Sequence, residues 1–207
     1  MFGGNKPLPK HVGIIISTNK QEVDDKFFKL IHEMIESQIE NKIPMLTLYL
    51  PKIAYNEKLT QFIDIILSQQ LIKANQVKIS FLGKWYDLPD TIVESIKKTM
   101  TETKDYDKYF LNLCINYDGQ QEIVDACKII GMKIKNGKLD AETITKEDIK
   151  ENLYTSYFLP PDMIIKTGKK RKIKGFLLWD STNSDIFFTD EDWENFSVKQ
   201  FEKIINS

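Results

Sequence analysis

The chain has 207 residues, enough for one domain with a real core. Its 42% hydrophobic and 29% charged content is that of an ordinary folded protein, and its net charge of −1 excludes a global field for nucleic acid. Two cysteines, Cys114 and Cys127, give no zinc spacing and read as buried free thiols of a reducing compartment. There is no run of 18 apolar residues to span a membrane. The opening MFGGNKPLPKH lacks the apolar stretch of a secretory leader. The expected location is the cytoplasm, at most peripheral to a membrane, which would be the endoplasmic reticulum in a eukaryote.

Strands and helices alternate along the chain. His11–Ser17 is a nearly continuous apolar run, as in a strand covered on both faces. Glu22–Asn41 places Phe27, Phe28, Ile31, Met34, Ile35 and Ile39 at helical spacing. Pro44–Leu50 reads as a strand, Leu59–Lys73 as a helix, Val77–Leu82 as a strand ended by Gly83, and Thr91–Met100 as a helix. Tyr109–Tyr117 is a fourth strand and Gln120–Met132 a helix, followed by a polar loop over 133–141. Thr145 and Asp148 make a capping-box variant for a short helix, Thr145–Asn152. Pro160–Lys166 and Ile186–Phe188 read as strands, and Val198–Ile205 as a closing helix.

This alternation predicts a single α/β domain over 1–207, with a mostly parallel central sheet and helices on both faces. In such sheets ligands bind beyond the carboxyl ends of the strands. Those ends are Ser17–Thr18–Asn19, Leu50–Pro51–Lys52, Asn116–Tyr117–Asp118 and Lys166–Thr167–Gly168. The last opens onto five basic side chains between Lys169 and Lys174. Lysine and arginine offer charge-assisted hydrogen bonds to phosphate oxygens. Charge alone does not separate an anion site from a solvated surface loop. His32 and the series Glu33, Glu36 and Glu40 read as structural and as a solvated helix face. A histidine at a strand start, such as His11, is more often a surface polar residue than a ligand contact.

Four stretches resemble the signatures of the cis-prenyltransferases, the undecaprenyl and dehydrodolichyl diphosphate synthases. HVGIIISTNKQ at 11–21 resembles H-x-x-I-I-M-D-G-N-x-R, and MLTLY at 45–49 resembles A-L-T-L-Y. INYDGQQEI at 115–123 resembles L-N-Y-G-G-R-x-E-I. The fourth, 162–188, keeps Asp162, Ile165, Thr167, Gly168, Ile173, Phe176, Leu177, Leu178, Trp179 and Phe188 of the last signature, and TDEDWENF resembles T-D-x-x-W-P-D-F. The order and spacing hold over almost the whole chain.

The resemblance implies the cis-prenyltransferase fold and a magnesium-dependent reaction joining isopentenyl diphosphate to an allylic diphosphate. It also implies roles by position. Ser17 stands where the family has its metal-binding aspartate, Thr18 and Asn19 where the chain meets diphosphate, and Gln21 where an arginine follows. Lys166, Lys172 and Lys174 stand at the clamp for the second diphosphate. Asp185 stands where a glutamate serves the neighbouring subunit's magnesium. The closing loop S-x-x-N-W-x-R is replaced by Lys52–Lys58. Leu48, Ile66, Leu67, Ile79 and Phe81 are candidates to line a prenyl tunnel, or are plain core.

Scaffold positions are kept and chemical ones are not. Magnesium sites lean on one or two carboxylates plus substrate phosphates, which a serine does not supply. The loss removes on the order of several kcal/mol of Lewis-acid stabilisation. Lysine is also not equivalent to arginine at a bidentate clamp. The expectation is a non-catalytic subunit of a heteromeric cis-prenyltransferase making polyprenyl (dolichyl-type) diphosphate from farnesyl and isopentenyl diphosphate. Its partner would be a catalytic homologue, as with Nogo-B-receptor-type subunits, whose glycine in G-F-L-P-W matches Gly175. The R-x-G tail of that type is not found in Phe201–Ser207, so structural support is expected rather than tail donation. The alternative is a divergent homodimeric enzyme with Lys166, Lys172 and Asn19 on diphosphate and Asp185 alone on Mg²⁺. A third reading is a phosphate- or polyprenyl-binding protein without turnover.

Overall fold

The structure, a computed structural model, describes residues 7–207. The first six residues, which belong to the domain expected over 1–207 and to the N-terminal stretch read above, lie outside the described residues. Six strands form one sheet: β1 (His11–Ile15), β2 (Met45–Tyr49), β3 (Val77–Leu82), β4 (Tyr109–Cys114), β5 (Met163–Lys166) and β6 (Asp185–Phe188). Their order is β3-β4-β2-β1-β5-β6, and every pairing is parallel. The helices are α1 (Asp25–Glu40), α2 (Glu57–Ser68), α3 (Gln70–Ala74), α4 (Asp90–Glu102), α5 (Gly119–Lys135), α6 (Lys146–Lys150) and α7 (Val198–Ile205).

Residues of β1 alternate between two cores, as strand geometry requires. Val12, Ile14 and Ile16 point into the larger one, with Ile31 and Met34 of α1, Ile63 of α2, Ile96 of α4 and Phe201 of α7. Ile15 points into the smaller one, with Ile164, Phe176, Leu177 and Tyr117. There α5 meets the turn after β5: a Cβ on Gly119 would stand 2.1 Å from the Gly175 carbonyl oxygen.

Several boundaries differ from expectation, each for a local reason. The first helix starts at Asp25 because Asp24 caps it, accepting from the Phe27 amide. The helix expected over 59–73 begins earlier, capped by Asn56, and breaks where Gln69 turns extended (ψ 139°). The fourth strand stops at Cys114, and Asn116 takes a left-handed conformation (φ 48°) that turns the chain away. The Thr145–Asp148 capping box is present in both directions. Cys114 is buried as expected, whereas Cys127 lies on the exposed side of α5.

His11 is a core residue, not a surface one. It is 1% exposed, at the amino end of β1. Its Nδ1 lies 2.6 Å from the Leu159 carbonyl and its Nε2 lies 2.8 Å from the Thr47 hydroxyl. A carbonyl only accepts, so the proton sits on Nδ1. Burial lowers the ring's pKa from 6.5 to about 4, against the opposing Leu159 carbonyl and Asp162 charge. The unfolded chain therefore binds a proton between those values that the folded chain refuses. Stability is full above the unfolded value and falls as pH drops from 6.5 toward 4, by about 3 kcal/mol in total. Urea unfolding at about pH 7 and about pH 4.5 checks this: His11→Gln will lose less stability over that interval than the native chain.

Candidate functional site

β1 and β5 are neighbours, and the chain leaves them in opposite directions across the sheet, so a crevice opens at their carboxyl ends. The Ser17 amide donates to the Thr167 hydroxyl at 2.9 Å, and the Thr167 amide to the Ile15 carbonyl at 3.1 Å. These bonds hold the two loops side by side. Gly168 is left-handed (φ +83°), and a Cβ there would stand 2.6 Å from Asp192 Oδ1 and 3.0 Å from Ser17 Cβ. Only glycine lets the loops approach this closely.

The crevice, about 320 Å³, is lined by Ser17, Thr18, Asn19, Gly168, Lys169, Lys170, Lys174 and Asp192, with Ile16 and Pro51. Lys166 lies beneath it, fully buried, its Nζ 2.5 Å from Ser17 Oγ and also on the Thr167 carbonyl. Burial lowers the Lys166 pKa, Lys174 adds to the effect, and Asp192 opposes it. Of the residues singled out from sequence, the structure thus groups Ser17, Thr18, Asn19, Lys166 and Lys174. Lys172 is exposed and does not line the crevice. Arg171 beside it pairs with Asp190 at 3.1 Å. Asp185 starts β6 beside Met163 and Asp162, at the amino end of the sheet, so within this chain it stands at the opposite end from Ser17.

Sequence reasoning missed the acidic stretch at 190–194. It folds back over the crevice: the Trp193 amide donates to the Ser17 carbonyl at 2.8 Å, and the Gly168 amide to the Glu191 carbonyl at 2.6 Å. The Thr18 hydroxyl donates to Glu194 and the Asn19 amide group to Asp192. The only signal was the charge run itself, which encloses the tryptophan of TDEDWENF.

The residues present do not fit a divalent metal. No group of three or more His, Cys, Asp or Glu side chains that could hold one occurs among the described residues. The position-17 side chain is a neutral hydroxyl already accepting from an ammonium. Mg²⁺ would meet the carboxylates of Asp192 and Glu194, which already accept from Asn19 and Thr18, among four lysines.

A second crevice at the ends of β2 and β4 is lined by Tyr49, Lys52, Lys84, Asn116, Tyr117 and Asp118. The segment 52–58 is tied down there: Tyr55 donates to the Leu50 carbonyl at 3.1 Å and accepts from the Asn116 amide at 2.7 Å. The tunnel candidates Leu48, Ile66, Ile79 and Phe81 all belong to the larger core, and Leu67 is buried beside α2's other apolar residues.

Topology and crevice define a class first: an α/β protein with an all-parallel sheet and its cleft at the strand ends. A family profile described as "Putative undecaprenyl diphosphate synthase" matches residues 17–207. The chain belongs to that cis-prenyltransferase family. It is 31% identical to a tritrans,polycis-undecaprenyl-diphosphate synthase (geranylgeranyl-diphosphate specific) of Picrophilus torridus, over 97% of this chain and 87% of that one. A protein of the same name from Methanocaldococcus jannaschii is 32% identical, over 94% and 78%. The fold superposes on lavandulyl diphosphate synthase from Lavandula x intermedia with a TM-score of 0.84 at 20% identity, over 96% of this chain and 94% of that one. No described helix is long and apolar enough to cross a membrane.

Proposed function

We propose that this chain is a cis-prenyltransferase-family subunit without turnover of its own, which supports a catalytic homologue that makes polyprenyl diphosphate. One observation carries the reading: an ammonium, Lys166 Nζ, sits 2.5 Å from the hydroxyl of residue 17, where the resemblance puts the metal-binding carboxylate. The architecture around the crevice is kept, so a homologous partner could dock on it across the family's dimer interface. Any membrane association would come through that partner or its lipid product.

The second reading is a divergent homodimeric enzyme, and the relatives favour it, because those named above are called synthases and none is called a non-catalytic subunit. In that reading Asn19 and Lys166 bind diphosphate. Two measurements decide. Co-expression with the catalytic homologue of the same source is expected to give co-purification and a partner activity raised at least about tenfold, or 1.4 kcal/mol. Labelled isopentenyl diphosphate with farnesyl diphosphate and Mg²⁺ is expected to give no product with the purified chain alone. Sustained incorporation by that chain would establish the enzyme instead.

A further inference from the structure

We infer that Lys166 takes the place of a divalent cation, so that the β1–β5 crevice binds a diphosphate group without metal. The inference rests on the reading that residue 17 holds no metal and deepens it by naming what binds instead.

Lys166 is 0% exposed and forms no ion pair among the described residues. Its Nζ uses two donors, toward Ser17 Oγ and the Thr167 carbonyl. An ammonium has three. A buried cation whose nearest acid, Asp192, makes no ion pair with it is costly, and the cost falls when an anion arrives beside it. Like-charged Lys170 and Lys174 stand nearby, so the local field calls for negative charge.

Ser17 connects this cation to the crevice. Its oxygen accepts from Nζ, which leaves its own hydrogen free to turn toward a bound oxyanion. Thr18, Asn19 and the side chains of Lys169, Lys170 and Lys174 complete a set of donors from two loops. Two phosphoryl groups with adjacent charges match such a spread of donors better than a single carboxylate does.

The acidic stretch now occupies part of this set. Glu194 accepts from Thr18 and Asp192 from Asn19. Carboxylate oxygens there hold donors that phosphate oxygens would use. Asp192 lines the crevice and opposes an incoming anion.

Titration calorimetry of the full chain with inorganic pyrophosphate tests the inference, once in EDTA and once in Mg²⁺. Binding in EDTA at least as tight as in Mg²⁺ is expected. Lys166→Met should weaken it by about tenfold or more, and Asp192→Asn should tighten it by about threefold or more. Farnesyl diphosphate and ADP run in parallel: tighter farnesyl diphosphate assigns the lipid form, and equal affinities assign the bare diphosphate. Binding that requires Mg²⁺, or none in either buffer, overturns the inference, and the native chain alone gives that answer should Lys166→Met not fold. Both variants binding like the native chain overturns it too. Calorimetry reads no turnover, so incorporation by the purified chain would sink the silent-subunit reading without touching this result.

Discussion

Asp180→Ala will lower stability to urea unfolding by about 3–5 kcal/mol, the range for breaking a buried ion pair from one side. Lys150 Nζ reaches both carboxylate oxygens of Asp180, at 2.7 and 2.8 Å, and the Thr155 hydroxyl donates to Oδ2 at 2.6 Å. The carboxylate is 5% exposed and the lysine 23%. Removal strands a largely buried ammonium and a buried hydroxyl together. The neighbouring Glu122 accepts from the Thr155 amide at 3.1 Å and from the Tyr117 hydroxyl at 2.5 Å. Burial raises its pKa, while those two donors hold it down. The group thus fastens α5, α6 and the turn after β5 into one block. Replacing both partners, as Lys150→Met with Asp180→Leu, should recover most of the loss. A loss below about 1 kcal/mol for Asp180→Ala would place this pair among weak surface bridges and refute the argument.

Trp193→Ala will have an effect of similar size, about 3–5 kcal/mol. The ring is 0% exposed. It stacks on Phe196 at 6.0 Å, tilts against Phe27 at 6.2 Å, and donates from Nε1 to the Phe27 carbonyl at 3.1 Å. Trp193→Phe should keep more than half of the lost stability, since only the larger ring and one hydrogen bond go. Chemical denaturation of both variants reads the difference as a shift in midpoint at constant slope. The ring also fixes the acidic stretch, because its own backbone amide is bonded to Ser17.

The continuous apolar run of β1 announced a strand buried on both faces, and alternation with helices announced the parallel sheet. Thr145 and Asp148 announced their helix end, because a capping box is written in adjacent residues. The strand-end residues Ser17–Asn19 and Lys166–Gly168 could be picked out for the same reason. What failed to appear were contacts between distant parts of the chain. Nothing in the spacing said that Lys166 would turn toward Ser17, or that residues 190–194 would fold back onto 17–19. Nor could it say that His11 would be sealed between Leu159 and Thr47. Periodicity reports which side of an element faces the core, and it is silent about which element lies opposite. The break at Gln69 was hidden because neither Ser68 nor Gln69 is a helix breaker by type.

The strand order also governs how the chain can be made. β1 is made before every other described strand, and β2 follows soon after to cover one of its edges. Its other edge belongs to β5, which arrives about 150 residues later in synthesis. Throughout that interval the nascent protein carries an open apolar strand, the kind of surface that chaperones shield and that aggregates recruit. The two strands pair only after that interval, so the loops that follow β1 and β5 come together late in folding.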